Sequence, residues 1–223
     1  MKKLAGLLVV AGVTTLSSVQ VSAQSKFEGF YGQVGIGYES VAPSTSTSLV
    51  VGGVGIPASV NLNNTNSFAG TATLGYTFAI NPQFTLGLGA EYSPIEGQKQ
   101  NINYNILGTN IPAGSYNKKN SYNIFLSPGL VVGNDGLAYA KVGFTGMSAD
   151  TGGDTTNYTG YSVGLGYKQI ITGGFYGFGE VNYASYGNQT SSQSGNIAGY
   201  PARISITSSA NVTNVLVGVG YKF

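Results

Sequence analysis

Val212-Thr213-Asn214-Val215-Leu216-Val217-Gly218-Val219-Gly220-Tyr221-Lys222-Phe223 is the stretch whose reading decides the fold. Val215, Val217, Val219, Tyr221 and Phe223 share one parity, and Asn214, Leu216, Gly218, Gly220 and Lys222 share the other, which is the period of a β-strand. One stripe is wholly apolar and ends in aromatic rings; the other is small or polar apart from Leu216. Such a strand suits a wall between lipid and a polar lumen. It suits a soluble core poorly.

Seven earlier stretches repeat the pattern: Phe30 to Glu39, Ser67 to Ile80, Gln83 to Ser93, Ser121 to Val132, Leu137 to Met147, Tyr158 to Ile170 and Phe175 to Tyr186. Between them, long polar segments (Ser40 to Asn66, Pro94 to Asn120, Ser148 to Asn157, Gly187 to Ser208) alternate with short turns at Asn81-Pro82, Gly133 to Gly136 and Ile171 to Gly174. Alternation of long and short connections is how an outer-membrane barrel separates external loops from periplasmic turns. The fold expected is all-β, an eight-stranded antiparallel up-and-down transmembrane β-barrel with both termini periplasmic. Pro128 lies inside the fourth strand and predicts a bulge there.

Charge supports a membrane wall over a soluble ligand-binding barrel. Charged residues make up 8% of the 223, and the chain has 35 Gly, 16 Tyr and 10 Phe. The outward parity carries no Asp, Glu, Lys or Arg on any of the eight strands. Six charges take the inward parity: Glu39, Glu91, Lys141, Lys168, Glu180 and Lys222. A charge on the lipid face at mid-depth costs about 2 to 4 kcal/mol, so a bilayer imposes this segregation. Six charges would solubilise an outer wall badly, whereas inside a narrow barrel they pair. Phe30, Tyr38, Phe68, Tyr92, Tyr122, Tyr161, Tyr183 and Tyr221, near strand ends, are candidates for interfacial girdles.

The first 23 residues read as an export signal. Lys2 and Lys3 precede an apolar run from Leu4 to Val13, and Val21-Ser22-Ala23 is a small-residue cleavage motif, which sets the junction between Ala23 and Gln24. Residues 1–23 are thus expected to be a cleaved signal peptide and 24–223 the barrel. Eight basic and eight acidic residues remain in the mature chain, so a basic surface for nucleic acid has no support. Without cysteine the chain has neither disulfides nor a lipid-anchored form.

Together the signal peptide, the eight alternating strands, the Gly-x-Gly-Tyr pieces at Gly35 to Tyr38, Gly164 to Tyr167 and Gly218 to Tyr221, and the terminal Phe223 resemble the small outer-membrane β-barrel proteins of the OmpA transmembrane-domain, OmpX and opacity-protein type. The resemblance implies bacterial outer-membrane localisation, outer-membrane lipid and lipopolysaccharide as surroundings, and a monomer. It also implies that the barrel-assembly machinery reads Val219, Tyr221 and Phe223. No counterpart of the peptidoglycan-binding domain that follows the barrel in OmpA is expected.

Chemistry is sparse. With no His and no Cys, His-based nucleophile arrangements and the usual zinc and thiol sites are excluded. The outer-membrane enzymes that resemble this architecture use His. No catalytic residue, metal site or cofactor is therefore expected. Asp150 and Asp154, beside Gly152 and Gly153, lack the ligand pattern of an EF-hand and read as a solvated loop. Glycosylation triplets at Asn157, Asn188 and Asn211 read as chance matches in an Asn- and Thr-rich exported chain.

Two functions remain. In the first, the barrel mounts surface loops that contact a host or cell-surface ligand or support envelope integrity. In the second, it is a narrow porin or a conduit for small solutes, favoured a little by Phe125, Phe178, Val212 and Leu216 on the inward parity. Glu180, between the strands of Lys168 and Lys222, is expected to pair with one or both of these lysines. The group forms either a structural plug or a gate. Asn101 to Ile106 and Ala202 to Thr207 keep a period of two, so strands are expected to project as an exposed sheet.

Overall fold

A computed structural model describes residues 25–223; the export segment and the Ala23/Gln24 junction lie outside them. The eleven strands are β1 (Gly29–Val51), β2 (Val54–Ile56), β3 (Ala58–Asn61), β4 (Thr65–Ala79), β5 (Phe84–Ser93), β6 (Gln100–Ile106), β7 (Thr109–Val132), β8 (Gly136–Asp150), β9 (Thr155–Thr172), β10 (Phe175–Ile197) and β11 (Tyr200–Lys222). Every pairing is antiparallel. Strands β7, β5, β4, β1, β11, β10, β9 and β8 follow one another in the sheet, and a further β7–β8 ladder joins the two ends of that series. The eight expected strands therefore form a closed ring. The seam joins the first to the last, with Tyr31 opposite Lys222 and Val51 opposite Ala202.

Parity along the ring is as the alternation predicts. On β1 the side chains of Phe30, Val34, Ile36 and Tyr38 point out and are exposed, while Tyr31, Gln33 and Glu39 are buried inside. On β11 Val215, Val217, Val219 and Tyr221 point out, and Leu216 is fully buried. This arrangement inverts a soluble protein: apolar side chains cover the outside and polar ones fill the core. The girdle aromatics form two levels. Near one end Phe30, Tyr76 and Phe78 form one trio of edge-on or tilted rings and Phe175, Tyr221 and Phe223 another (centroids 4.6 to 5.2 Å apart). Tyr38 opposite Phe68 and Tyr92 opposite Tyr122 mark the other level. Phe30 and Tyr38, eight residues apart, are separated by about 26 Å along the strand, which suits a tilted strand crossing the apolar band.

Three corrections concern the connections. The long polar segments are mostly strand rather than loop: β1 runs on to Val51, β7 begins at Thr109, and β10 and β11 leave only Ala198 and Gly199 between them. Those two residues have φ of 51° and 83°, as do Leu107 (51°) and Gly108 (84°) between β6 and β7. Left-handed backbone at both central positions makes two-residue turns whose twist matches the flanking strands. The expected projecting sheet is thus far larger than Asn101 to Ile106 and Ala202 to Thr207, and forms a crown above the barrel. Second, Pro128 carries no bulge: Leu126 faces Val142 and Gly129 faces Tyr139 in one unbroken register, and Pro128 pairs with Leu86 on the other side. Its missing N–H therefore falls on the β8 side, where the ladder skips Ser127 and Pro128 without shifting. Third, the register shift of β7 against β8 sits instead between Lys118 and Ser121.

Candidate functional site

The lumen and the crown are the two places where polar side chains converge. At mid-barrel, Lys141 on β8 donates to Glu180 on β10 at 2.7 Å and to Glu91 on β5 at 3.1 Å, with the Lys141 and Glu180 side chains each 1% exposed. Glu180 also accepts from the Tyr139 hydroxyl at 2.8 Å and from the Asn182 amide at 2.6 Å. Asn182 continues to Asn214 at 2.9 Å, and the Thr73 hydroxyl donates to Glu91 at 3.3 Å. The Phe125 ring lies 4.3 Å from the Lys141 ammonium. Each of these three charges thus has opposite charge and hydrogen bonds around it, the condition under which buried ions are tolerated.

Glu180 pairs with neither lysine expected of it. Lys168 has its ammonium over the Tyr31 ring at 3.9 Å, with the Tyr176 and Tyr139 rings at 5.0 and 5.3 Å, and makes no ion pair among the described residues. Lys222 also makes none among them, and lies at the turn end with Lys26 and Asp135 around a shallow opening. The reason is steric. Inward positions between β8 and β10 are Gly164 and Gly166 on β9, and a Cβ on Gly166 would strike the Tyr139 ring while one on Gly164 would strike Asn182. Two bare glycines let Tyr139 and Lys141 reach over β9 to Glu180. Gly218 and Gly220 likewise make room for the Phe178 and Tyr176 rings. The Gly-x-Gly-Tyr pieces are therefore the beds on which the lumen side chains lie.

Two elements of the plug escape a strand-by-strand reading. Lys118, on a stretch expected to be loop, is buried on β7 and holds both oxygens of Glu39 at 2.6 and 2.7 Å. Phe27, in the lead before β1, is 5% exposed and packs with Leu137 and Tyr139 at the turn end. A tight turn holds it there: Glu28 N–H donates to the Ser25 carbonyl at 2.9 Å, and Lys26 pairs with Asp135 at 2.8 Å. Between the Glu39 level and the Glu180 level lies a void of about 40 Å³. At roughly 30 Å³ per water it holds about one.

Above Glu39 the crown encloses a wider cup of about 280 Å³, with walls from β1, β3, β6, β7, β8, β9, β10 and β11. Outside the ring, a depression of about 860 Å³ lies among Val34, Leu74, Ile124 and Val219 and belongs to the apolar face. At the β8–β9 tip, Asp150 accepts the Gly152 N–H at 2.7 Å and faces Lys119 at 3.6 Å. The Gly152 hydrogen bond, with Lys119 behind it, holds the Asp150 carboxyl below its ordinary value. Glu96 beside Lys119, at 3.1 Å, raises that ammonium above its own. Among the described residues no group of three metal-ligating side chains is found.

An inside-out closed ring of this kind defines an outer-membrane barrel. The family model for the outer membrane protein β-barrel domain matches residues 8–223, and the chain belongs to that family. The family places it in the bacterial outer membrane. Among solved structures, OprG from Pseudomonas aeruginosa is 14% identical, with a TM-score of 0.57 over 91% of this chain and 98% of its own. OmpT, the outer membrane protease from Escherichia coli, is 11% identical with a TM-score of 0.49 over 88% and 97%. Ail, the attachment invasion locus protein of Yersinia pestis, is 15% identical with a TM-score of 0.39 over 88% and 99%. The first likeness concerns the fold. Comparison with curated proteins gives no match.

Proposed function

We propose that this protein is a closed, non-catalytic barrel that holds a β-crown at the bacterial surface for contact with an external protein. The observation that carries this reading is the filled lumen. Lys141 and Glu180 are almost fully buried, Leu216 is fully buried, and the void above them has room for about one water. A conduit needs a continuous path. A mount does not, and the crown is where this chain spends its length beyond what spanning requires. Under this reading the turn end, with Gly29 and Lys222, faces the periplasm. Val219, Tyr221 and Phe223 on the outer face serve as the assembly signal.

The crown also offers a mode of contact. β10 from Gly187 to Ile197 is exposed throughout and pairs only with β11, because its ladder with β9 stops at Tyr186 opposite Gly160. This edge carries no charge and no proline, the residues that ordinarily blunt an edge. An extended strand of a partner adds there through backbone hydrogen bonds. Two measurements test the reading. Reconstituted in planar bilayers, the protein should give no steady channel current. Cells displaying it should bind a surface partner, and Ser192→Lys with Ser194→Lys should cut that binding at least tenfold without loss of folded protein. Steady current in the wild type, or binding indifferent to both lysines, would overturn it.

A further inference from the structure

We infer that the crown cup is a binding site for a small neutral molecule with an apolar body and one hydrogen-bond acceptor. The cup lies inside the crown rather than on its edge, so this inference stands apart from the strand-addition reading. Its walls are apolar where a water-filled vestibule needs no apolar side chains: Val41, Val60, Ile102, Tyr104, Met147 and Ile206 line it. These come from five separate strands, so the apolar lining is not the inner face of a single hairpin. Beneath them Val41, Met147, Tyr186, Ala210 and Val212 form a buried apolar cluster. At about 280 Å³ the space is nearly twice that of a cavity that takes benzene, about 150 Å³. One aromatic ring with a short substituent fits.

The polar atoms of the cup select the head group. Several are already satisfied: Thr45 donates to the Val60 carbonyl at 2.7 Å, Tyr116 to the Asn63 carbonyl at 3.1 Å, and the Tyr158 and Ser208 hydroxyls meet at 2.8 Å. Lys118 differs. An ammonium has three donors, and Glu39 takes two of them, which leaves one N–H on a lysine that lines the cup. Glu39 neutralises its charge, and Asp154 stands at the rim, so an anion gains nothing by entering. A cation finds no free carboxylate at the floor, because both Glu39 oxygens are held by Lys118. What remains is a neutral acceptor such as a ketone, ester or ether oxygen. The cup has room for roughly nine waters at about 30 Å³ each, and the apolar body displaces about half of them.

The test uses the whole protein in lipid nanodiscs and two nearly isosteric probes followed by fluorine NMR, 4′-fluoroacetophenone and 1-ethyl-4-fluorobenzene, with empty nanodiscs as the partitioning control. The wild type should bind the ketone above the control, and at least fivefold better than the hydrocarbon. Ala149→Trp, at a half-buried lining position, should reduce ketone binding at least tenfold. The double variant Lys118→Met with Glu39→Met keeps most of the volume and removes both the donor and its counter-charge, and should bind both probes alike. Thermal unfolding of each variant confirms that the barrel has formed, and Ala149→Phe replaces any variant that does not fold. Ketone binding no greater than in empty discs, equal binding of the two probes by the wild type, or full binding by a folded Ala149 variant would each overturn the assignment.

Discussion

Replacing Glu180 by Ala separates a plug from a gate. The Glu180 carboxylate is the acceptor for Lys141 at 2.7 Å, Tyr139 at 2.8 Å and Asn182 at 2.6 Å. Its loss leaves Lys141 with Glu91 alone at 3.1 Å, and leaves the Tyr139 hydroxyl without a partner. Breaking one side of a buried ion pair costs about 3 to 5 kcal/mol, and an orphaned buried hydroxyl about 1 to 3. Asn182 keeps Asn214, and the Glu91 pair recovers part of the loss, so a net cost of about 4 kcal/mol is expected. Equilibrium unfolding in urea from lipid vesicles, followed by tyrosine fluorescence, measures it. The triple variant Lys141→Met with Glu91→Gln and Glu180→Gln strands no charge and should lose only about 1 to 2 kcal/mol. In both variants planar-bilayer current should stay absent, since the truncated side chain opens room for about two waters at most. Wild-type stability in Glu180→Ala together with a new steady current would refute the plug. A triple variant no more stable than the single one would refute the account of the stranded charge.

Four further outcomes are expected. Gly166→Ala puts a methyl group into the Tyr139 ring and should cost about 2 kcal/mol by the same unfolding measurement, whereas Ala138→Gly on the outer face of β8 should cost less than half of that. Phe27→Ala should destabilise by about 3 kcal/mol and speed the reaction of Lys168 with an amine reagent supplied from the turn end; unchanged labelling would contradict its role as a stopper. Phe223→Ala, at a residue 75% exposed, should leave the stability of purified barrel within about 0.5 kcal/mol while lowering the amount inserted in cells, a split between the two that an ordinary core residue does not give. Finally, the Asp150 carboxyl is held below its ordinary value of 3.8 by Gly152 and Lys119, so the tip at residues 151–154 gains from the ionised form. That gain is full above pH 3.8 and is lost as the pH falls through the lower folded value; intrinsic-rate-corrected amide exchange at Gly152 should quicken there and nowhere above.

What the sequence discloses depends on which solvent each residue meets. Parity and charge segregation were legible because lipid punishes every error on the outer face, as at Val215 and Val217. The crown was not, because strands such as β10 from Gly187 to Ile197 have water on both sides and need no alternation; a run of Ser, Thr, Asn and Gln there looks like loop. The turns were hidden too, since Ala198-Gly199 and Leu107-Gly108 hold the left-handed backbone without the Asn-Gly signature. Lys118 was lost with the crown to which its strand belongs. The partner of Glu180 does not lie on a neighbouring strand, because bare Gly164 and Gly166 open a path across β9 to Lys141. Phe27 leaves no trace in any periodic pattern, being one side chain in a short lead.

The seam between β1 and β11 also governs the order of events in the life of the chain. Tyr31 and Lys222, which face each other across it, are about 190 residues apart, and drawing such distant ends together costs roughly 5 kcal/mol of chain entropy before a single seam bond forms. Until then the sheet is an open ribbon with a free strand along each side. Lipid supplies no hydrogen bonds for those edges, so a half-closed ribbon has no stable place in the bilayer. Insertion and closure must therefore happen together, and only after the last strand has arrived. A chain cut short within β11 yields not a smaller barrel but one that never commits to the membrane.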